Sequence, residues 1–178
     1  VLDTALHDGT GSYRWSTYLY NGFGYPLFEF YAPGLYFVAE LFYSLGASLA
    51  GAFKLTIVAF TVMRAVADYS WVRRYCGSFG ALLASALFVL SPYYAFNVYT
   101  RGDFGEHAAG ALGLLALNLL DKILVEGRNV GRWTWLGFVI TYAALVCTHN
   151  ISALLFTSLF VFYGLGTVLL GKSGPKGA

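Results

Sequence analysis

Charge is scarce in this chain. Asp, Glu, Lys and Arg make up only 11% of its 178 residues, less than half of the roughly 25% usual in a soluble domain. That is too little charge to cover a water-facing surface. It also excludes a disordered chain and a nucleic-acid-binding tail, so nucleic acid is not an expected partner. Cysteine is nearly missing: Cys76 and Cys147 are too few for a disulfide framework. Solenoid repeats, low-complexity segments, a P-loop and a dinucleotide fingerprint are all absent. The chain opens on Val1 without a signal peptide, and its tail reads as a loop cut short. The expectation is therefore a fragment of a longer membrane protein.

What the chain has instead is apolar and aromatic, at 58% and 19% of its residues. A membrane-crossing helix needs about 20 mostly apolar residues. Stretches near 50–70, 78–98, 106–125, 133–148 and 150–170 meet or approach that length. A shorter apolar stretch at 34–47 reads as an interfacial or re-entrant helix. The expected fold is all-α and membrane-integral, with about five transmembrane helices. Residues 1–49 form an outer loop carrying short interfacial helices, 50–170 the helical bundle, and 171–178 a truncated cytoplasmic tail.

Orientation follows from the basic residues of short loops. Arg73 and Arg74 in a loop at 71–77, Lys122, Arg128 and Arg132 in a loop at 121–132, and Lys172 and Lys176 in the tail account for seven of the eleven basic residues. These loops are expected in the cytoplasm. Arg64 falls inside the first span, about one turn from its cytoplasmic end, with room to snorkel. All three histidines, His7, His107 and His149, fall toward the opposite face. Any site is expected there, toward the periplasm or the cell exterior.

Four clusters could carry chemistry. His7-Asp8-Gly9 offers a general base or a hard-metal ligand, or simply an Asp turn. Tyr99 to His107 places Arg101, Asp103, Glu106 and His107 between two apolar spans. Asp103 and Glu106 could form a capping box, but capping leaves Arg101 and His107 unexplained. An arginine there is a planar donor fork suited to phosphate. Thr148-His149-Asn150 marks a hairpin between two spans, with Asn150 as the plain choice of N-cap. The aromatic segment 21–33, including Tyr31, could stack on sugar rings or a prenyl chain, or form an interfacial belt.

Taken in order, HDG at 7–9, YPLFEFYAP at 25–33, LSPYYAFNVYTRGDFGEHAA at 90–109 and THN at 148–150 resemble a bacterial multi-pass membrane family. Its label is "6-pyruvoyl-tetrahydropterin synthase-related membrane domain", and it is similar to the GT-C superfamily of polyprenyl-linked-sugar glycosyltransferases. The likeness covers about residues 5–155. It implies a GT-C-like architecture, here truncated, with a first helix lost before Val1 and further spans lost after the tail. It does not imply pterin chemistry, since clustered zinc-binding histidines are missing.

The resemblance places Asp8 where GT-C enzymes carry an acidic base or metal ligand. Arg101 and Glu106 match the family's R-G-x-x-x-E pattern, and His149-Asn150 its T-H-N element. The implied function is transfer of a sugar from a polyprenyl-phosphate donor at the outer face of the bacterial inner membrane. Asp8 and Glu106 are the expected catalytic residues. Arg101, His149, Asn150, Tyr99 and Tyr31 are expected to bind substrate. A divalent cation, Mg or Mn, would be held among His7, Asp8, Asp103 and His107. The rival expectations are a transporter or flippase for a lipid-linked or anionic substrate, and a non-catalytic membrane subunit.

Overall fold

The computed structural model describes residues 2–7 and 14–170, and its elements are helical throughout. They are α1 (Leu2–His7), α2 (Leu27–Phe30), α3 (Gly34–Ser44), α4 (Leu49–Val89), α5 (Pro92–Phe96), α6 (Phe104–Glu126), α7 (Arg132–Thr148) and α8 (Asn150–Leu169). One antiparallel bridge, Ser16 to Tyr25, ties the segment before α2 to itself.

Ser48 starts α4, its hydroxyl accepting from the Gly51 N–H at 3.1 Å. The helix then breaks once, at Gly77, whose φ of 69° and ψ of 179° suit glycine almost alone. The chain folds back there. Ser85 Oγ donates to the Ala65 carbonyl at 2.9 Å, so 78–89 lies antiparallel against 49–76. The α4–α6 seam keeps its register to within about one residue. Thr61 meets His107, Ser70 meets Asn118 and Arg74 meets Asp121, so 49–76 and α6 run parallel. The chain turns at Gly127–Asn129 into α7 and again at His149 into α8.

Helix α6 is the centre. Its Ala108, Ala109, Ala111 and Ala116 are wholly buried, and small side chains let neighbouring helices approach closely. Gly113 serves the same end, because a Cβ there would overlap the Phe156 ring. The outside of the bundle is apolar: Val58, Val62, Leu82, Val139, Leu154 and Phe162 are each more than half exposed. Exposed apolar area on this scale needs a partner or a lipid phase to cover it.

Three stretches among the described residues are long and apolar enough to cross a membrane: Leu49–Arg101, Phe104–Glu126 and Asn150–Leu169. The first contains two of the five expected spans, doubled back at Gly77. The remaining expected span is α7, whose 17 residues extend about 26 Å, slightly short of a hydrocarbon core of about 30 Å. Helix α3 has only 11 residues. Its first residue touches the end of α7: a Cβ on Gly34 would sit 2.5 Å from Thr148 Oγ1 and 2.7 Å from the Cys147 carbonyl oxygen.

Three sequence expectations change here. The basic loop at 71–77 is helical up to Cys76, and α6 continues through Glu126 into the loop expected at 121–132. The reason is a buried clamp. Asp121 Oδ2 accepts from Arg74 Nε at 3.1 Å and Nη2 at 2.6 Å. Its Oδ1 accepts from the hydroxyls of Tyr75 and Tyr163, each at 2.6 Å. Arg74 also donates to the carbonyls of Ser70 and Asn118. Arg74 thus finds its counter-charge on a neighbouring helix and needs no loop. Arg64 does not snorkel either. It is 1% exposed and lies against Gly110 in the second turn of α6, its Nη2 donating to the His107 carbonyl.

The clamp yields a stability prediction. Asp121→Leu leaves the Arg74 guanidinium without its carboxylate and should cost about 3–5 kcal/mol. Tyr163→Phe removes one bond to a charged acceptor and should cost about 1.5–3 kcal/mol. Thermal unfolding in detergent measures both, and equal losses from the two variants would contradict the clamp.

Candidate functional site

The site is built where α5, α6 and α8 meet at one end of the bundle. Pro92 opens α5, and a π-helical turn at Asn97–Arg101 follows it. Gly102 ends that turn in the left-handed conformation, with φ at 66°. Asp103 then caps α6, its Oδ1 accepting from the Glu106 N–H at 2.9 Å. Only half of the expected capping box forms. The Asp103 N–H is already spent on the Asn97 carbonyl at 3.1 Å, so the Glu106 carboxylate turns elsewhere. It accepts from the Tyr93 hydroxyl, from Asn97 Nδ2 at 3.2 Å and from Arg101 Nη1 at 3.1 Å.

Arg101 joins the two carboxylates. Besides Glu106, its Nη1 donates to Asn97 Oδ1 at 2.9 Å, and its Nη2 reaches Asp103 Oδ2 at 3.4 Å. A guanidinium has five N–H donors. Three are used here, which leaves Nε and one Nη2 hydrogen for a ligand.

The α7–α8 junction brings the third component. His149, not Asn150, is the N-cap of α8: its Nδ1 accepts from the Ser152 N–H at 3.2 Å and lies 2.8 Å from Ser152 Oγ. The extended backbone at 149 (φ −159°, ψ 110°) places Asn150 already inside the helix. An Nδ1 that accepts a backbone N–H puts the proton of the neutral ring on Nε2. That Nε2 stands 4.0 Å from Asp103 Oδ1. Gly105 borders the same contact, and a Cβ there would sit in ordinary van der Waals contact with the His149 ring, at 3.4 Å.

Arg101, Asp103, His149, Asn150, Tyr31 and Tyr36 share the wall of one pocket of about 570 Å³. Burial, with Tyr31 and Asp103 beside it, raises the Tyr36 hydroxyl above its ordinary pKa, so it stays protonated and can donate. The pocket thus offers an arginine edge, an imidazole N–H and a phenol as donors, with a carboxylate among them. Glu106 stands behind Arg101, on an adjoining cavity of about 180 Å³ shared with Tyr93, Asn97 and Arg64.

Two expected site residues lie elsewhere. Tyr99 is 88% exposed and borders a different cleft. His107 turns toward α4, with Nε2 3.2 Å from Thr61 Oγ1 and 3.4 Å from the Ile57 carbonyl oxygen. Asp103 folds back over the helix end while His107, one turn on, points into the α4–α6 seam. Asp8 and the side chain of His7 lie outside the described residues. Among the described residues, no three His, Cys, Asp or Glu side chains gather as a metal-binding group, and the Arg101 guanidinium bridges the Asp103 and Glu106 carboxylates. These described residues do not fit a cation.

Asn97 is the residue that sequence reasoning missed. It is wholly buried and holds both Glu106 and Arg101. A lone amide within an apolar span was the available signal. No family model, curated protein or solved structure matches this chain.

Position 149 separates capping from ligand contact. His149→Ala should lose about 1 kcal/mol by removing the cap acceptor. His149→Asn should keep that stability, measured by thermal unfolding, yet lose ligand binding at the pocket. Full recovery of binding in His149→Asn would reduce His149 to a cap.

Proposed function

We propose that the protein is a multi-pass membrane protein of GT-C type that transfers a sugar from a polyprenyl-phosphate donor to an acceptor hydroxyl. The observation that carries this reading is the convergence of Arg101, Asp103 and His149 on one pocket at the end of an apolar bundle. Membrane enzymes acting on lipid-linked substrates need polar chemistry at the boundary between lipid and water. The five apolar stretches are read as five crossings of a bacterial inner membrane, with the pocket facing the exterior.

In the proposed reaction the acceptor oxygen attacks the anomeric carbon. The bond from that carbon to the phosphate oxygen breaks, and the lipid phosphate leaves with the electron pair. The acceptor's proton passes to a carboxylate, assigned to Asp8 from the family resemblance. The two remaining Arg101 donors stabilise the charge that develops on the leaving phosphate. His149 Nε2–H and the Tyr36 hydroxyl orient the sugar or the phosphate. Tyr31 and the aromatics beside it provide faces for sugar rings.

Glu106 acts through Arg101 in this scheme. Its bonds to Arg101, Tyr93 and Asn97 fix the guanidinium before substrate arrives, and such preorganisation is what makes a charge effective in a transition state. Glu106 is therefore a positioning residue, and Arg101 the residue that touches substrate.

The test is transfer from a labelled polyprenyl-phosphate sugar in proteoliposomes. Arg101→Gln should lower turnover about 10²–10³-fold, the loss typical of removing one charge-stabilising donor, with normal thermal unfolding. Asp8→Ala should abolish transfer. Normal turnover in Asp8→Ala would remove the assigned base. Movement of the labelled lipid across the bilayer without covalent product would replace the transferase by a transporter.

A further inference from the structure

A second polar centre lies away from the pocket, in the α4–α6 seam. Arg64 is 1% exposed, and its Nε and Nη1 have no hydrogen-bond partner. Nη2 makes one long bond, 3.4 Å, to the His107 carbonyl oxygen. The guanidinium carbon sits 3.3 Å from the Tyr94 ring centroid and 5.4 Å from that of Phe88. Asp68, one turn along α4, has a buried Oδ2 that is itself unpartnered. Among the described residues, no carboxylate hydrogen-bonds Arg64 as Asp121 bonds Arg74. A buried, incompletely bonded arginine is costly in an apolar bundle, and intramembrane ionisable groups of this kind mark binding sites by default.

Arg64 also lines a cleft of about 290 Å³. Its other polar side chains are Thr61, Ser91, Tyr94, Tyr99 and His107, and its remaining walls are apolar, among them Ile57, Leu90 and Val98. His107 Nδ1 is another buried atom without a partner. Leu90 and Tyr99 at the rim are 78% and 88% exposed, so the cleft opens on the apolar outside of the bundle. The cavity on the other side of Arg64 carries the Glu106 carboxylate and would repel an anion. Arg64 Nη2 lies against Gly110, seven residues into α6 from Asp103, which places the guanidinium about 10 Å below the helix end.

We propose that the cleft between α4 and the 89–99 segment binds a lipid through its phosphate, with Arg64 as the cation and the apolar walls taking the first part of the tail. An arginine fork matches phosphate oxygens in geometry and charge. Tyr94 covers the guanidinium, so its ring moves aside as the phosphate enters. This inference does not rest on the transferase reading, because the cleft and the pocket share no lining residue.

The test uses the purified full chain in detergent, read by thermal unfolding with three probes: dioleoyl phosphatidic acid, dioleoylglycerol and inorganic phosphate. Phosphatidic acid at about 100 times its Kd should raise Tm by roughly 5–10 °C. Dioleoylglycerol, with the same tails, and inorganic phosphate should each raise it far less. Arg64→Gln should abolish the shift. Val98→Trp keeps Arg64 but fills the cleft, and it should abolish the shift too, which guards against Arg64→Gln failing to fold. An equal shift from dioleoylglycerol would mean that the tails alone bind, and an equal shift from inorganic phosphate would mean a soluble-anion site. Either result, no shift from phosphatidic acid in the wild-type chain, or a full shift retained in Val98→Trp, overturns the proposal.

Discussion

Everything in this bundle is arranged around α6. It packs against α4, α7 and α8, and its alanines and Gly113 let them come close. An apolar surround supplies no water to hydrogen-bond, so each polar group on such a helix needs a partner inside the protein. Helix α6 has polar groups at both ends, and they are treated differently. At one end Asp121 is 1% exposed and takes four hydrogen bonds from α4 and α8. This carboxylate fixes the register of three helices, because a shift of one residue would strand it without donors.

That fixed register sets the geometry at the other end. With Asp121 held against Arg74, the parallel run of α4 and α6 brings Thr61 to His107 and leaves Asp103 at the helix mouth. The Gly77 reversal then sends 78–101 back along α4 to deliver Tyr93, Asn97 and Arg101 to the same level. The short α7–α8 turn adds His149 from the far side. Arg101, Glu106 and Asn97 are therefore ordered before any ligand arrives. Such preorganisation distinguishes a site from a solvated loop, whose charges would relax toward water.

The apolar stretches were legible because length and hydropathy report them directly. All five are helical, and the breaks between them fall at Gly77, at the Gly102-Asp103 pair, at Gly127–Asn129 and at His149. The partners of the Tyr99–His107 cluster were partly legible, since Asp103 had to cap what followed. The rest depended on contacts across helices. Asn150 looked like the better cap by residue type, but the 149 backbone is the extended one, so His149 caps. His107 and Asp103 were expected in one ligand set, yet their side chains leave the helix in different directions. Arg74 looked like a loop charge because Asp121 lies 47 positions away. Pairing at that range leaves no mark on local composition.

The contrast between Arg74 and Arg64 shows where chemistry can be sought. Both are arginines of one helix facing α6. Arg74 donates to a carboxylate and two carbonyls, so it has little left to offer and a purely structural role accounts for it. Arg64 is more deeply buried but bonds only one carbonyl, at 3.4 Å. Packing alone does not favour that arrangement, because a leucine or methionine would fill the space without the cost of burying a charge. Keeping a guanidinium with unspent donors beside a cleft makes physical sense when an anion completes it. Arg101 follows the same logic less steeply, since it is anchored by two carboxylates and keeps two donors for the pocket. Unspent hydrogen-bonding capacity separates the two centres that can bind a ligand from the clamp that holds the fold.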